Sequence, residues 1–206
     1  MDTVTLSSKA LSSLIHNCPV FAYVFWHQRD DAYPAQLYEE GLTSFHTRLS
    51  SLGVRGFLGS FSFKVSGVPW ITGEGYEDWY LVDGLGVLEE INSLITDPTI
   101  RGVHDGVARM SINGKATILA HIKGDPTLID APNTYWLAKP RGTSYDDFYR
   151  GIESLTRDAV ASVWRRQLAL GPNPEFLMIT RTNPRLPEAY LPRPVSRRML
   201  ITSRSK

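Results

Sequence analysis

Residues 54–65, VRGFLGSFSFKV, alternate between apolar and polar side chains, and this alternation decides how the chain around them is interpreted. A period of two is typical of a strand with one buried face. Gly56 and Gly59 indicate a bulge or a close approach of another backbone. The stretch therefore predicts a half-buried strand. Its apolar face carries Phe57, Phe61, Phe63 and Val65, and its polar face carries Ser60, Ser62 and Lys64.

A strand and a helix precede this stretch. Residues 20–26, VFAYVFW, are β-branched and aromatic, which predicts a strand buried on both faces. An apolar stripe then recurs at spacings of three and four residues, as on one face of a helix, and Gly53 follows where a helix is expected to end. The stripe consists of Tyr38, Leu42, Phe45, Leu49 and Leu52.

Similar elements continue to residue 122. Residues 78–83, DWYLVD, predict a strand, and an apolar stripe over 85–95 predicts a second helix that ends at Asp97–Pro98. Residues 107–122, VARMSINGKATILAHI, predict a hairpin, because Asn113–Gly114 tolerates the positive φ angles of a two-residue turn.

After a turn-rich linker at 124–133, the pattern starts again. Residues 134–138 predict a strand, and Ser144 with Asp147 predicts the start of a long helix whose apolar stripe reaches Val163. That helix would carry Arg165 near its end. Residues 176–180 predict another strand, followed by a proline-rich arm at 184–194 that we expect to pack extended against its own domain.

The repeated order predicts an α+β fold, a single unit over 1–206. It would contain two ferredoxin-like (split βαβ) halves, 18–125 and 133–206, the second with the proline-rich C-terminal arm. Their antiparallel sheets would pack as an α+β barrel. Helices would cover one face of each sheet, so the other face must meet a second sheet, from the other half or from another subunit.

Two stretches carry a resemblance to known proteins. Residues 75–95, GYEDWYLVDGLGVLEEINSLI, with HDGVARM at 104–110, resemble a group of bacterial and archaeal proteins without assigned biochemistry. Residues 163–180, VWRRQLALGPNPEFLMIT, are similar to a second hallmark of that group. The resemblance implies no catalytic residues.

The order of elements resembles the ferredoxin-like, dimeric α+β-barrel superfamily. Its members include antibiotic-biosynthesis-type monooxygenases, haem-degrading relatives, chlorite-dismutase-like proteins and stress-responsive barrels. The resemblance implies a homo-oligomer that binds a small molecule, an aromatic or a haem-like ligand, and it assigns no cofactor and no haem ligand to a particular histidine. Because this fold hosts unrelated functions, the site has to decide the activity.

Composition and charge exclude several classes of protein. The longest apolar run, 18–26, is far short of the roughly 20 residues that span a bilayer. No secretory signal is readable and the single cysteine, Cys18, excludes an internal disulfide, so we expect a cytoplasmic protein. Residues 126–206 carry thirteen Lys/Arg against seven Asp/Glu, but no window is densely basic, and this argues against a nucleic-acid partner.

The five histidines show no metal-ligand spacing, and the sequence predicts no metal site. His27 ends the first strand, where it is either a catalytic group at a barrel mouth or a loop histidine. His104 and Asp105, placed on a strand, would point to opposite faces, and each is a candidate base or a solvated turn residue. His46 is expected at the boundary of its helix. We predict that His27 and His104 share one pocket with Trp79.

The aromatic residues of the predicted strands are candidates for ligand contact, or for ordinary core packing. Trp26, Trp79 and Tyr80 would stack on a flat ligand, and Arg165 would bind an anion or pair with the acidic half. The neighbouring acids Glu77 and Asp78 would either hold a catalytic carboxylate against aromatic walls or lie solvated at a strand entrance.

Two functions remain open on the sequence alone. The first is a small-molecule enzyme of the monooxygenase type, which predicts a cavity lined by aromatic residues and one or two polar groups. The second is a non-catalytic structural or binding barrel that oligomerises, which predicts a filled interior.

Overall fold

Eight antiparallel strands close into a barrel in the computed structural model, which describes residues 19–156, 160–168 and 174–203. The strands are β1 Phe21–Arg29, β2 Phe57–Ser66, β3 Glu74–Val82, β4 Ser111–Gly124, β5 Asn133–Leu137, β6 Ala161–Gln167, β7 Phe176–Thr180 and β8 Arg193–Ser203. The helices are α1 Ala35–Ser50, α2 Leu85–Ile95, α3 Pro98–Ala108 and α4 Tyr145–Thr156, with a 3-10 turn at Glu188–Tyr190. The sequence also predicts a short helix at 6–16 and the end of the long helix at Gly171–Pro172; both of these stretches, and Cys18, lie outside the described residues.

The strand order confirms the predicted fold class. The first four strands lie in the order β4-β1-β3-β2 and the last four in the order β8-β5-β7-β6, so each half places its strands as 4-1-3-2. This is the order of a ferredoxin-like split βαβ unit. The second half lacks the second crossover helix, and the proline-rich segment 181–192 takes that place in the chain. Pairing of β2 with β8 and of β4 with β6 joins the halves, so the second sheet comes from the same chain.

The barrel interior is filled with aromatic side chains. Four of the five tryptophans are buried in one core cluster and the fifth, Trp70, packs against it. At their centre the Glu77 carboxylate accepts from the indole N–H groups of Trp26 (2.7 Å) and Trp79 (2.8 Å). It also lies 2.9 Å from Nε of Arg197, whose side chain is 3% exposed. A charged pair this deeply buried depends on both partners being present.

The outer face of the first half is covered by α1, α2 and α3. Because α1 packs on this face, Ser60 and Ser62 are fully buried there and not half-exposed as the alternation predicted. A register shift between Phe57 and Gly59 also turns Phe57 to the outer face, away from Phe61. In the second half, α4 and the segment around Tyr190 fill the equivalent space with a third core cluster.

The predicted hairpin at Asn113–Gly114 is wrong. The two residues form a bulge within the single long strand β4, where both stand opposite His27 of β1. A bulge uses the same positive φ that a two-residue turn would need, and Asn113 has φ 57°. Residues 98–108, expected to lead into the hairpin, form helix α3, which starts with Pro98 and with the Asp97 side chain accepting from the Thr99 N–H. Asp97–Pro98 therefore ends one helix and starts the next.

The predicted long helix of the second half is also wrong in its extent. Ser144 starts α4 as expected, since its Oγ accepts from the backbone N–H of Asp147 at 3.0 Å. The chain then leaves the helix, and residues 161–167 form β6 between β4 and β7. Two flanking strands supply backbone partners that outweigh the helical apolar stripe. Arg165 consequently lies on a strand and not near the end of a helix.

Gly124 is the last residue of strand β4 and stands opposite Ser162 of β6. It has φ +89°, and a Cβ placed on it would lie 1.9 Å from the carbonyl oxygen of Ala161. We expect Gly124→Ala to lower the free energy of unfolding by at least about 2 kcal/mol. The energetic cost of a side chain at positive φ adds to the cost of a clash with the Ala161 backbone. Gly73→Ala is the matched control, since Gly73 has φ +76° but open space around it. Chemical denaturation of both variants measures the difference, and equal losses would contradict the clash.

Candidate functional site

A cavity of about 770 Å³ lies between the outer face of the first half-sheet and helices α1, α2 and α3. Its size falls in the range of roughly 300–1,000 Å³ that small-molecule sites occupy. Strands β1 and β4 and all three helices contribute apolar lining residues. The polar or charged groups that reach the cavity include His27, Asp78, Glu89, Asn92, His104 and Ser111.

A chain of hydrogen bonds runs along the wall of the cavity. Asp78, 2% exposed, has its Oδ2 3.0 Å from Nε2 of His27. Nδ1 of His27 lies 2.6 Å from the hydroxyl of Tyr38, and this hydroxyl lies 2.7 Å from Oγ of Ser111. Oγ of Ser111 also lies within hydrogen-bond distance of the carbonyl oxygen of Val107, at 3.0 Å. These four side chains form the relay Asp78–His27–Tyr38–Ser111.

Aromatic rings hold the imidazole of His27 in place. The ring stacks on Phe25 (centroid distance 4.8 Å) and on Tyr76 (5.7 Å), and Tyr38 meets it edge-on at 5.9 Å. His27 is 1% exposed, so its tautomer and orientation are set by protein groups and not by bulk water.

Burial and neighbouring charges shift the titration of this cluster. Burial alone would raise the pKa of Asp78, but the facing imidazoles of His27 and His46 reverse the effect and hold that pKa well below its ordinary value. Burial raises the pKa of Tyr38 well above its ordinary value, against the lowering effect of the Ser111 hydrogen bond. At neutral pH the cluster therefore holds a carboxylate and a protonated phenol.

Strand alternation separates the two neighbouring acids. Glu77 points into the barrel, where it pairs with Arg197, and Asp78 points outward to the cavity. The same alternation sends Trp26 and Trp79 inward, so these two predicted ligand contacts lie on the opposite side of the sheet from the cavity lining. Tyr80 faces outward and lines the cavity.

The structure brings His27 and His104 to one cavity, His27 from β1 and His104 from α3. The predicted separation of His104 from Asp105 is wrong, because Nδ1 of His104 lies 3.1 Å from Oδ1 of Asp105. The separation assumed a strand, whereas the two side chains meet at the edge of a helix. Asp105 also contacts Arg101 at 3.5 Å, and it fixes the His104 ring instead of facing the ligand space.

Arg165 lies on strand β6 of the second half. Its Nε donates to Oε1 of Glu175 at 2.6 Å, and its guanidinium stacks on the ring of Tyr145 at 4.2 Å. The pairing partner is thus an acid of the same half, and Arg165 does not line the cavity described above.

Sequence reasoning missed three residues of the site. Tyr38 was assigned to the apolar stripe of α1, where its ring does belong, but its hydroxyl reaches His27. His46, expected at a boundary, is fully buried against Asp78, with Nε2 3.4 Å from Oδ1. Ser111 was placed in a hairpin strand. The signal for the first two was their spacing, since Tyr38 and His46 lie eight residues apart and so share the buried face of one helix.

The donor atoms around the cavity decide whether a metal ion or a haem could bind there. Within residues 19–156, 160–168 and 174–203, no three His, Cys, Asp or Glu side chains are arranged to hold a metal ion. Iron ligation needs an imidazole nitrogen with a free lone pair, and both nitrogens of His27 are occupied by Asp78 and Tyr38. His27 therefore does not fit the role of a haem ligand. No helix in the described parts of the chain is long and apolar enough to cross a membrane.

Comparisons with known proteins agree with the fold. No protein-family profile and no curated protein matches the sequence. A proposed monooxygenase from Fusobacterium nucleatum has a TM-score of 0.59 at 8% identity, covering 92% of this chain and 95% of that one. A proposed monooxygenase from Lactobacillus acidophilus has a TM-score of 0.55 at 10% identity, with coverages of 92% and 97%.

A third solved structure, an anthrone oxidase-like protein, has a TM-score of 0.50 at 10% identity and coverages of 93% and 96%. At such identities the likeness concerns the fold alone. The chain therefore shares the ferredoxin-like α+β barrel of monooxygenase-type proteins, and its activity has to be argued from its own residues.

Proposed function

We propose that this chain is a monooxygenase-like enzyme that binds a small aromatic molecule with an acidic proton. The ligand would occupy the cavity between the half-sheet and α1–α3. The observation that carries the proposal is the junction of an apolar cavity with the relay, three of whose four members, Asp78, His27 and Ser111, line the cavity. Three solved structures of this fold, two proposed monooxygenases and an anthrone oxidase-like protein, agree with this class of chemistry.

The relay has two complete hydrogen-bond arrangements. In the first, Ser111 donates to Tyr38, Tyr38 donates to Nδ1 of His27, and Nε2–H of His27 donates to Asp78. In the second, His27 is an imidazolium that donates to both Asp78 and Tyr38, Tyr38 donates to Ser111, and Ser111 donates to the carbonyl oxygen of Val107. The two differ by one proton, so passage from the first to the second takes one proton from the ligand.

This proton transfer prepares the ligand for oxidation by dioxygen. The ligand proton goes to Ser111 Oγ, and each hydroxyl passes its own proton along to His27. The ligand anion then gives electrons to dioxygen. For anthrone, one oxygen atom becomes the new carbonyl of anthraquinone and the other leaves as water. The buried ion pair of His27 and Asp78 stabilises the state in which the ligand is an anion.

The alternative of a structural barrel without a ligand predicted a filled interior. The tryptophan-rich interior agrees with that prediction. The cavity on the outer face of the first half favours the enzyme, since the equivalent space in the second half is closed by Phe148, Phe176 and Tyr190.

Aerobic oxidation of anthrone, followed as anthraquinone by chromatography, tests the proposal. We expect the protein to accelerate oxidation above the buffer rate, and Ser111→Ala to lose about 10²-fold of that acceleration, a typical contribution of positioned proton transfer. Ser44→Ala is the matched control, because Ser44 is exposed on α1 and, among the described residues, bonds only to the carbonyl oxygen of Glu40. Calorimetry with anthraquinone measures binding separately. If the wild-type protein neither binds anthraquinone nor oxidises anthrone, the proposal is wrong for fused aromatic ligands.

A further inference from the structure

The polar side chains of the cavity wall lie on two sides of the ligand space. On the sheet side the relay joins them to one another, and both ring nitrogens of His27 are occupied. On the helix side lie Glu89 and Asn92 of α2 and His104 of α3. Among the described residues, the side chains of Glu89 and Asn92 have no hydrogen-bond or ion-pair partner. The helix side therefore holds polar groups that are free to bind a ligand.

Asp105 fixes the ring of His104, which is half-buried. Nδ1 of His104 lies 3.1 Å from Oδ1 of Asp105, and the ring lies 5.7 Å from that of Phe45, another residue of the cavity wall. The hydrogen bond from His104 holds the pKa of Asp105 below its ordinary value, so Asp105 is a carboxylate at neutral pH and Nδ1 of His104 carries a proton. Nε2 of His104 has no partner among the described residues. In a neutral ring this nitrogen is a hydrogen-bond acceptor.

His104 and the relay lie within reach of one small molecule. Ser111 follows His104 by seven residues, across the end of α3, and its Oγ stays 3.0 Å from the carbonyl oxygen of Val107. At 1.5 Å per residue, seven residues correspond to about 10 Å along a helix axis. Val107, between the two, also lines the cavity. A fused aromatic molecule of three rings spans a comparable length, so it can contact both Ser111 and His104.

The charges on the cavity wall favour an uncharged ligand. The carboxylate groups that reach the cavity belong to Asp78 and Glu89, and its described lining residues include no Lys or Arg. A ligand carboxylate or phosphate would lose its water of hydration there without gaining a counter-charge, which is unfavourable. A neutral hydroxyl group has no such cost, and it donates the hydrogen bond that Nε2 of His104 can accept.

We infer that His104 is a specificity-determining residue of the cavity, whose Nε2 accepts a hydrogen bond from a hydroxyl group of an uncharged fused aromatic ligand. The inference rests on the ligand site of the proposed function, and it adds the group by which the ligand is recognised. It concerns binding and not oxidation. Oxidised compounds that undergo no turnover are therefore suitable probes.

Calorimetry with two matched anthraquinones tests the inference. 2-(Hydroxymethyl)anthraquinone and 2-ethylanthraquinone have equal numbers of heavy atoms, but only the alcohol can donate a hydrogen bond. The measurements are made at pH 8, where free imidazole is neutral. In His104→Phe, which keeps an aromatic ring beside Phe45, we expect the ratio of the two affinities to fall about 3–10-fold against the alcohol, the usual contribution of one hydrogen bond. His121→Phe is the matched control and should leave the ratio unchanged, since His121 packs on Trp164 and does not line the cavity.

A charged probe tests the second part of the inference. Anthraquinone-2-carboxylate should bind the wild-type protein at least about tenfold more weakly than 2-ethylanthraquinone, because the cavity offers its carboxylate no counter-charge. Equal or tighter binding of the carboxylate would show that the cavity does not select an uncharged ligand.

An unchanged affinity ratio in His104→Phe overturns the role of His104, as does an equal change in His121→Phe or a wild-type protein that binds neither compound. If His104→Phe does not fold, ¹⁵N NMR of the wild-type protein decides, since the alcohol and not the ethyl compound should shift the Nε2 resonance of His104. The absence of that difference has the same meaning as an unchanged ratio. The expected ratios together with a failure of anthrone oxidation would reject the proposed function and leave the role of His104 standing. Anthrone oxidation with an unchanged ratio would reject the role of His104 alone.

Discussion

Arg197→Met is expected to lower the free energy of unfolding by about 3–5 kcal/mol, the usual cost of removing one partner of a buried ion pair. Methionine keeps an apolar stem against Phe63, over which the Arg197 guanidinium now lies at 3.7 Å. What remains is the Glu77 carboxylate, 0% exposed, with two indole N–H donors and, among the described residues, no other ion-pair partner. Denaturant unfolding followed by tryptophan fluorescence measures the loss.

Two further variants separate the charge from the packing. Arg198→Met removes the neighbouring arginine, which is 65% exposed and reaches Glu39 only at 3.8 Å, and should change stability by less than about 1 kcal/mol. Adding Glu77→Gln to Arg197→Met removes the orphaned charge, so the double variant should be more stable than the single one. A double variant less stable than Arg197→Met would show that packing, and not charge, accounts for the loss.

The fold was predictable because its strands and helices carry clear periodicity. The stripe of α1 and the alternation of β2 were sufficient to place the first split βαβ unit. Asn113–Gly114 was misassigned because positive φ is needed equally by a turn and by a bulge, and only the partner strand β1 decides between them. The predicted length of α4 is wrong for a related reason. Residues 161–167 pair with β4 and β7, and this pairing overrides their local helical periodicity.

The site was only partly predictable. His27 and Asp78 stood out as polar residues beside buried strands, but nothing local shows that β1 and β3 bring their side chains together. His46 and Tyr38 were hidden within an apolar stripe, since a buried polar side chain at core spacing has the same pattern as a core residue. Glu77 and Asp78 became distinguishable only when the inner and outer faces of the barrel were known.

Asp78→Asn is expected to have the largest effect on the proposed activity, a loss of about 10⁴-fold in anthrone oxidation. The asparagine amide would donate to Nε2 of His27, which forces the ring proton onto Nδ1 and removes the acceptor that Tyr38 needs. The same substitution of an acid that orients a catalytic histidine costs about this much in serine proteases, through the wrong tautomer. Initial rates and anthraquinone binding are measured together, and binding within about tenfold of wild type is expected.

The same substitution changes the dependence of stability on pH, and the sign follows from the lowered pKa of Asp78 in the folded protein. A carboxyl group whose pKa is lower in the folded than in the unfolded state stabilises the fold above its unfolded pKa of about 3.9. That stabilisation is lost as the pH falls through the folded pKa. The asparagine variant lacks this titration, while other acids with lowered pKa values, such as Asp97 and Asp147, are unchanged in both proteins. The stability gap between wild type and Asp78→Asn should therefore be largest near neutral pH and shrink steadily below about pH 4. A gap that stays constant down to pH 2 in urea unfolding would show that Asp78 is not held as a carboxylate by the two histidines.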